Sequence, residues 1–174
     1  GRALRAQAGS GPARPFRRLE LHFNTSETHR DIGGVIAADW KNALGIEVQL
    51  LNQEWKSYLD SQQNLRYDVS RSSWIGDYAD PQNFLEVFVS GGENNRTGWS
   101  DPRYDELLSL AARAREPERR MALLGEGGAL LPEELPILPI YGYVSQNLVN
   151  PRLGGFFANV QDEHPVKFLH WKAP

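Results

Sequence analysis

Residues 19–50 read LELHFNTSETHRDIGGVIAADWKNALGIEVQL. Leu19, Leu21 and Phe23 alternate with Glu20 and His22, which is the period of a β-strand. Asn24, Thr25 and Ser26 follow, residues whose short polar side chains can cap a helix start. Ile32, Val35, Ile36, Trp40, Ala43 and Leu44 then recur at spacings of three and four, predicting an amphipathic helix over 28–44. Gly45 stands where a helix C-terminus adopts left-handed backbone. Ile46, Val48 and Leu50 alternate again. Strand, helix and strand at this spacing make a βαβ unit, whose strands are parallel with a right-handed crossover. This stretch fixes the fold class as α/β.

Toward the N-terminus, Gly1 to Ser10 reads as the tail of a helix, with Ala3, Leu4 and Ala8 on one face and Gly9 as its stop. Residues 9–18 (GSGPARPFRR) read as a linker. The chain thus reads as part of a longer one, so the missing signal peptide says nothing about export.

Toward the C-terminus, Trp55 to Gln63 predicts a short helix with Trp55, Tyr58 and Leu59 on one face. Residues 67–75 (YDVSRSSWI) predict a strand, 76–81 (GDYADP) a turn, 82–89 a short apolar helix and 90–98 (SGGENNRTG) an exposed loop. Asp101 and Pro102 open a helix whose buried stripe is Tyr104, Leu107, Leu108 and Ala111. Glu116 and Pro117 open another, carrying Met121, Leu124, Leu131 and three weakening glycines. Residues 135–144 (LPILPIYGYV) read as a strand interrupted by Pro136 and Pro139, hence an edge strand or one passing between domains. A last strand is predicted near Val166 to Trp171.

The chain has 174 residues, 40% hydrophobic and 24% charged, with a formal net charge of −3. That length can bury a core, since domains of this size sequester roughly 70% of the surface their unfolded chain exposes. The negative balance argues against nucleic acid as a bulk electrostatic partner. Cysteine is absent, which excludes disulfides, thiolate metal sites and cysteine nucleophiles. His22, His29, His164 and His170 never fall in HxxxH or HExxH, so no metal or other cofactor is expected. GxSxG, Walker A and GxGxxG are missing, and the glycine pairs 91–92, 127–128 and 154–155 lack the context of a phosphate cradle. The triplets Asn24-Thr25-Ser26 and Asn95-Arg96-Thr97 match a glycosylation pattern too short to carry weight.

Residues 71–80 (RSSWIGDYAD) carry the chemistry. A strand runs into a turn, and Trp74 precedes Asp77 by three residues. Strand ends of this type are where α/β proteins place ligand-binding groups. One reading is an aromatic wall beside a carboxylate that pairs with a cation, strong where water is excluded. The other is that Asp77 caps the following helix and Trp74 is core, the commoner use of such residues. A hydrolase using Asp77, Asp80 and His29 is a third reading, unaccompanied by any nucleophile motif.

FNTSETHRD (23–31), LLNQEWKSYLD (50–60), YDVSRSSWIGDYADPQNFL (67–85), NNRTGWSDPRYDELL (94–108) and LPILPIYGYV (135–144) together resemble the solute-binding proteins of oligopeptide and dipeptide ABC importers, the large family-5 type. The resemblance spans the chain from residue 3 onward. It implies one lobe of a type II periplasmic-binding-protein-like fold, not an enzyme, in a two-lobed protein of the periplasm or outer surface, either free or membrane-tethered. It implies residues 1–18 as the end of a preceding helix and linker, 19–145 as the α/β lobe, and 146–174 as a tail returning to the other lobe. It implies a short peptide, held between lobes, as the ligand and the permease subunits of the transporter as the partners. Nickel complexes, haem and oligosaccharides are the ligands of other members. Asp77 matches the aspartate that pairs with a peptide's α-ammonium group. Ser73 and Ile75 match positions whose backbone bonds the peptide like an added strand. Trp55 and Trp74 match pocket aromatics, Arg71 an arginine for a peptide carboxylate, and His29 and Tyr143 further pocket positions. A second arginine expected seven residues after Trp55 is replaced by Gln62. The isolated chain, with one wall of the cleft, is expected to bind weakly and to self-associate.

Overall fold

A computed structural model of the chain describes residues 16–159 and 161–173, together with Ala3, Gln7 and Gly9. Ala3 and Gln7 are helical and Gly9 has a φ of 81°. The rest of the predicted helix tail and the linker up to Pro15 lie outside the described residues. The chain divides into two compact units, one of residues 1–73 with 96–98 and one of residues 74–95 with 99–174.

The first unit is the βαβ core. Strand β1 (Leu19–Asn24), helix α1 (Glu27–Leu44) and strand β2 (Val48–Gln53) follow one another as the periodicity predicts. β1 and β2 pair in parallel from Leu19↔Val48 to Asn24↔Gln53. A short β3 (Val69–Ser70) joins β1 on its other side, also in parallel, giving the order β2-β1-β3. Ser26 caps α1 by accepting from the His29 backbone N–H, a contact that contributes about 1 kcal/mol. Gly45 closes the helix at φ 65°, its N–H donating to the Lys41 carbonyl. The central strand is covered on both faces, as parallel strands usually are: Leu21, Phe23 and, between them, His22 are all buried. Ahead of β1, Arg17 grips Asp68 at 2.7 Å through both oxygens, while Asp68 also accepts from the Glu20 backbone N–H. Those bonds hold the Asp68 carboxyl down to about 2.

The expectations for the two helices of this unit need correction. Val35 and Ala43 do not belong to the covered stripe of α1; both are exposed. The residue pressed against the sheet is Gly33, where a Cβ would lie 3.1 Å from a Leu50 methyl. The helix sits so close that its contact residue has no side chain, and that turns the stripe away from Val35. Helix α2 (Trp55–Gln63) likewise buries Tyr58, Ser61 and Gln62 rather than an apolar face. It lies on a polar network: His22 Nδ1 meets Gln53 Oε1, Gln53 donates to Ser61, and Gln62 donates to Ser70.

The strand expected over 67–75 is confined to β3. One more ladder bond is made beyond it, from the Arg71 N–H to the His22 carbonyl at 2.8 Å. The Arg71 carbonyl, which would carry the ladder further, accepts instead from the Tyr58 hydroxyl at 2.6 Å.

The second unit is built on two packed helices. The chain turns into α3 (Gln82–Leu85) and a 3-10 turn (Glu86–Phe88), then α4 (Pro102–Arg113) and α5 (Pro117–Glu134). Tyr104, Leu108 and Leu131 form one buried cluster and Ala111, Leu123 and Leu124 another. The glycines do not break α5. Gly127 is what lets it approach α4, since a Cβ there would lie 3.0 Å from a Leu108 methyl. Met121, expected on the buried side, is exposed. The Tyr104 hydroxyl donates to the Leu85 carbonyl, and Arg103 bridges Asp101, the cap of α4, to Glu134 at the end of α5.

The 90–98 loop is less exposed than expected, because Asn95 turns inward. Its amide nitrogen donates to the carbonyls of Phe88, Val89 and Trp99 at 3.0–3.1 Å. Residues 135–144 form no strand. Two prolines in five residues remove the N–H donors a ladder needs, and Leu138, Ile140 and Val144 stand exposed. Near the C-terminus β4 (Leu153–Gly154) pairs antiparallel with β5 (His170–Trp171), while residues 166–168 are a 3-10 turn rather than strand.

Candidate ligand-binding site

The stretch 71–83 leaves the sheet and becomes a fixed turn. The agent is Asn83, a residue that no motif in the sequence singles out. It is 1% exposed. Its Oδ1 accepts from the Trp74 indole Nε1 at 3.1 Å and from the Asp77 backbone N–H at 2.9 Å. One buried amide oxygen thus sets both the ring and the start of the turn. The Asn83 amide nitrogen points to Glu86 Oε1, which also accepts from the Tyr78 hydroxyl at 3.0 Å. Gly76 fits closely here: a Cβ would lie 3.0 Å from the Phe84 ring and 3.3 Å from Asn83 Oδ1.

The far end of the turn is pinned by a second clamp. Arg120 of α5 binds Asp80 through both oxygens at 2.8 and 2.9 Å and also donates to Gln82 Oε1. Asp80 in turn accepts from the Gln82 N–H at the start of α3. The Arg120 guanidinium holds the Asp80 carboxyl below the usual carboxylate range. Asp80, not Asp77, therefore supplies the side-chain acceptor at the helix start, which removes the capping explanation for Asp77. Trp74 is half-buried rather than core.

Of the three acids in and beside this turn, Asp80 is engaged by Arg120 and Glu86 by Tyr78 and Asn83. The Asp77 carboxylate is exposed and, among the described residues, has no hydrogen-bonding or ionic partner. The backbone leading to it is open as well. Among the described residues, no backbone hydrogen bond is made by Ser73, Trp74 or Ile75. Ile75 is 83% exposed.

The predicted site residues are split between the units. Trp74, Ile75, Asp77 and Tyr143 belong to the second, and His29, Trp55, Arg71 and Ser73 to the first. Trp55, at the first position of α2, is 54% exposed and stacks on Tyr58 with ring centroids 5.7 Å apart. Arg71 is buried, and its Nη1 reaches Ser73 Oγ at 3.5 Å. The Tyr58 hydroxyl on the Arg71 carbonyl brings Trp55, Tyr58 and Arg71 into one cluster. Tyr143 is exposed on the irregular 135–150 stretch, edge-on to Tyr141. Gln62 is buried, accepting from Arg96 Nη1 at 3.2 Å.

His29 is half-buried, with Nδ1 2.9 Å from Asn24 Oδ1. Burial, and then the charge of Arg71, push its imidazole below the ordinary value of 6.5. The folded value lies under the unfolded one, so the associated stability is fully present above about pH 6.5 and is lost as pH falls through the folded value. NMR titration is expected to place the His29 midpoint below 6.5, and Arg71→Gln to raise it. A midpoint at or above 6.5 contradicts this assignment.

Comparison with known proteins decides the family. The family described as bacterial extracellular solute-binding proteins, family 5 Middle, matches residues 2–96, more than half of the chain. The chain belongs to this family. The family is one of extracellular solute-binding proteins rather than of hydrolases, and of the carboxylates named for the hydrolytic reading Asp80 is engaged by Arg120. It is 39% identical over 158 residues to the periplasmic murein peptide-binding protein MppA of Escherichia coli, covering 91% of this chain and 29% of that protein. Superposed on the Escherichia coli MppA structure, it gives a TM-score of 0.87 over 98% of this chain and 33% of that one. The structure of Haemophilus influenzae OppA in complex with RPPGFSPFR gives 0.82 at 31% identity, over 98% of this chain and 34% of that one. A probable deoxycholate-binding periplasmic protein, YgiS of Escherichia coli, is 34% identical over 99% of this chain and 32% of that protein. The chain therefore spans about a third of the length of the relatives it matches, and within that third it has their fold.

The one sequence signal for Asn83 is that it is a polar residue at the head of the largely apolar run NFLEVFV, and a polar residue buried there must find partners.

Proposed function

We propose that this chain is part of the substrate-binding component of an ABC importer, which captures short peptides outside the cytoplasm for transport. The observation that carries this is the Asp77 carboxylate, held on a turn clamped at Asn83 and Arg120 and left without an internal partner. Its role is to receive the α-ammonium group of the peptide. The open backbone at Ser73 and Ile75 is suited to bond the peptide main chain as an added strand, with Trp55 and Trp74 as pocket walls. Arg71, His29 and Tyr143 complete the ligand-binding set. Main-chain bonds and a terminus clamp bind without reading side chains, which suits a transporter that accepts many sequences.

In the full-length parent, residues 19–145 serve as most of one lobe, 1–18 as the link from a preceding helix, and 146–174 as a tail to the other lobe. The exposed apolar side chains of Leu138, Ile140, Val144 and Leu148 support this, since such a row in one chain calls for cover. The permease subunits are the partners of that parent.

The parent, purified without denaturation from producing cells, is expected to show bound masses of short peptides by native mass spectrometry, released on unfolding. A single recurrent non-peptide mass would instead support a second reading, an amphipathic solute, which the similarity to YgiS favours.

A further inference from the structure

Arg96 is a cation that the fold leaves uncompensated. It lies in the first unit and is half-buried, and the Tyr67 hydroxyl donates to its carbonyl. Among the described residues its guanidinium makes one hydrogen bond, from Nη1 to Gln62 Oε1 at 3.2 Å. Its Nε is buried without any partner. No described carboxylate pairs with it, and the acids flanking Gln62 and Tyr67 in sequence are spent elsewhere, Asp60 on Arg66 and Asp68 on Arg17. A guanidinium carries five N–H donors in a rigid fork. Here a neutral amide takes one of them and supplies no charge. Drawing a cation partly out of water without an anion carries a cost that an arriving anion would relieve.

Gln62 ties this cation to the candidate site. Its Nε2 is committed to Ser70 Oγ at 3.0 Å, so its Oε1 is the atom turned to Arg96. Ser70 directly precedes Arg71. On α2, Gln62 lies two turns beyond Trp55, on the face that carries Tyr58, whose hydroxyl holds the Arg71 carbonyl. The contacts run from Arg96 through Gln62 and Ser70 to Arg71 and Ser73, the first-unit residues of the site.

We propose that Arg96, aimed by Gln62, receives a carboxylate of the bound solute and makes this binder prefer acidic peptides. This rests on the peptide-binding reading above. The shared chemistry is a carboxylate, from either an acidic side chain or the peptide C-terminus.

The test is calorimetry on the full-length parent with alanine-based tripeptides carrying Glu or Gln at each position, each as the free acid and as the C-terminal amide. The parent is expected to favour one carboxylate about tenfold. A Glu/Gln ratio identifies a side chain, and a free-acid/amide ratio identifies the terminus. Arg96→Gln is expected to bring that ratio to about one, while Arg96→Lys, which keeps the charge, retains part of it. Gln62→Glu, which supplies an internal carboxylate, is expected to abolish the preference and raise the melting temperature, so a folding defect cannot imitate the result. A parental ratio near one at every position overturns the proposal; an acid from elsewhere in the parent that covers Arg96 would produce that outcome. An unchanged ratio in Arg96→Gln overturns it too, with the peptide reading intact. Absence of binding by every peptide removes the peptide reading and this inference together.

Discussion

Asp77→Asn in the full-length parent is expected to weaken binding of peptides with a free N-terminus by roughly thirtyfold to several thousandfold, and of N-acetylated peptides hardly at all. The range comes from the physics of the pair. Within this chain Asp77 has an exposed carboxylate and no internal partner among the described residues. Its charge therefore does nothing for the turn, which is held through the backbone N–H on Asn83. In the proposed function, the α-ammonium group of an enclosed peptide loses water and needs an anion. Removing one member of a desolvated charge pair costs about 2–5 kcal/mol, mostly because the other stays buried and unpaired. An amide of the same shape isolates the charge from the packing. An acetylated peptide carries no ammonium group, so the parent and the variant should bind it alike. Calorimetry with each peptide on each protein gives the four affinities needed. Equal affinity of the parent for free and acetylated peptide would sink the role assigned to Asp77.

How far the sequence could reach depends on where each element is decided. The βαβ unit was legible because its signals are local. Strand periodicity, the Ser26 cap and the Gly45 stop all lie within the elements they define. The same holds for α4, opened by Asp101 and Pro102, and for α5, opened by Pro117. What failed was decided from a distance. β3 is short because the Tyr58 hydroxyl of α2 takes the carbonyl of Arg71. Val35 faces out because α1 meets the sheet at Gly33. The face of α2 looked like Trp55, Tyr58 and Leu59 by apolarity. It is Tyr58, Ser61 and Gln62, because the sheet beneath offers polar partners in Gln53 and Ser70.

The candidate site divides the same way. Asp77 and Trp74 could be singled out from residue type and spacing. The choice between capping and ligand binding could not, since it turns on which acid the helix start and Arg120 select. They select Asp80. Once Asp80 and Glu86 are engaged, Asp77 is the acid left over. Selection by exhaustion of the alternatives is invisible to a motif and plain in a hydrogen-bond inventory.

Asn83→Ala is the complementary experiment, and its expected effect falls on both stability and binding. The change strips the acceptor from the Trp74 indole and from the Asp77 N–H at once. A donor left without a partner inside a protein costs about 1–3 kcal/mol, so two half-buried donors put the loss at roughly 2–4 kcal/mol and lower the melting temperature of the parent. A purely structural residue would stop there. Asn83 also sets the position of the Asp77 carboxylate, so free-N-terminus peptides should lose roughly tenfold in affinity as well. The discriminating measurement is the double variant. Residues that act through one another are not additive. If Asn83 works by placing Asp77, then Asn83→Ala added to Asp77→Asn should lower the melting temperature by its full amount yet weaken peptide binding little further. Full additivity in binding would mean that Asn83 supports the peptide by some route other than Asp77, and would leave the clamp as a stabilising feature alone.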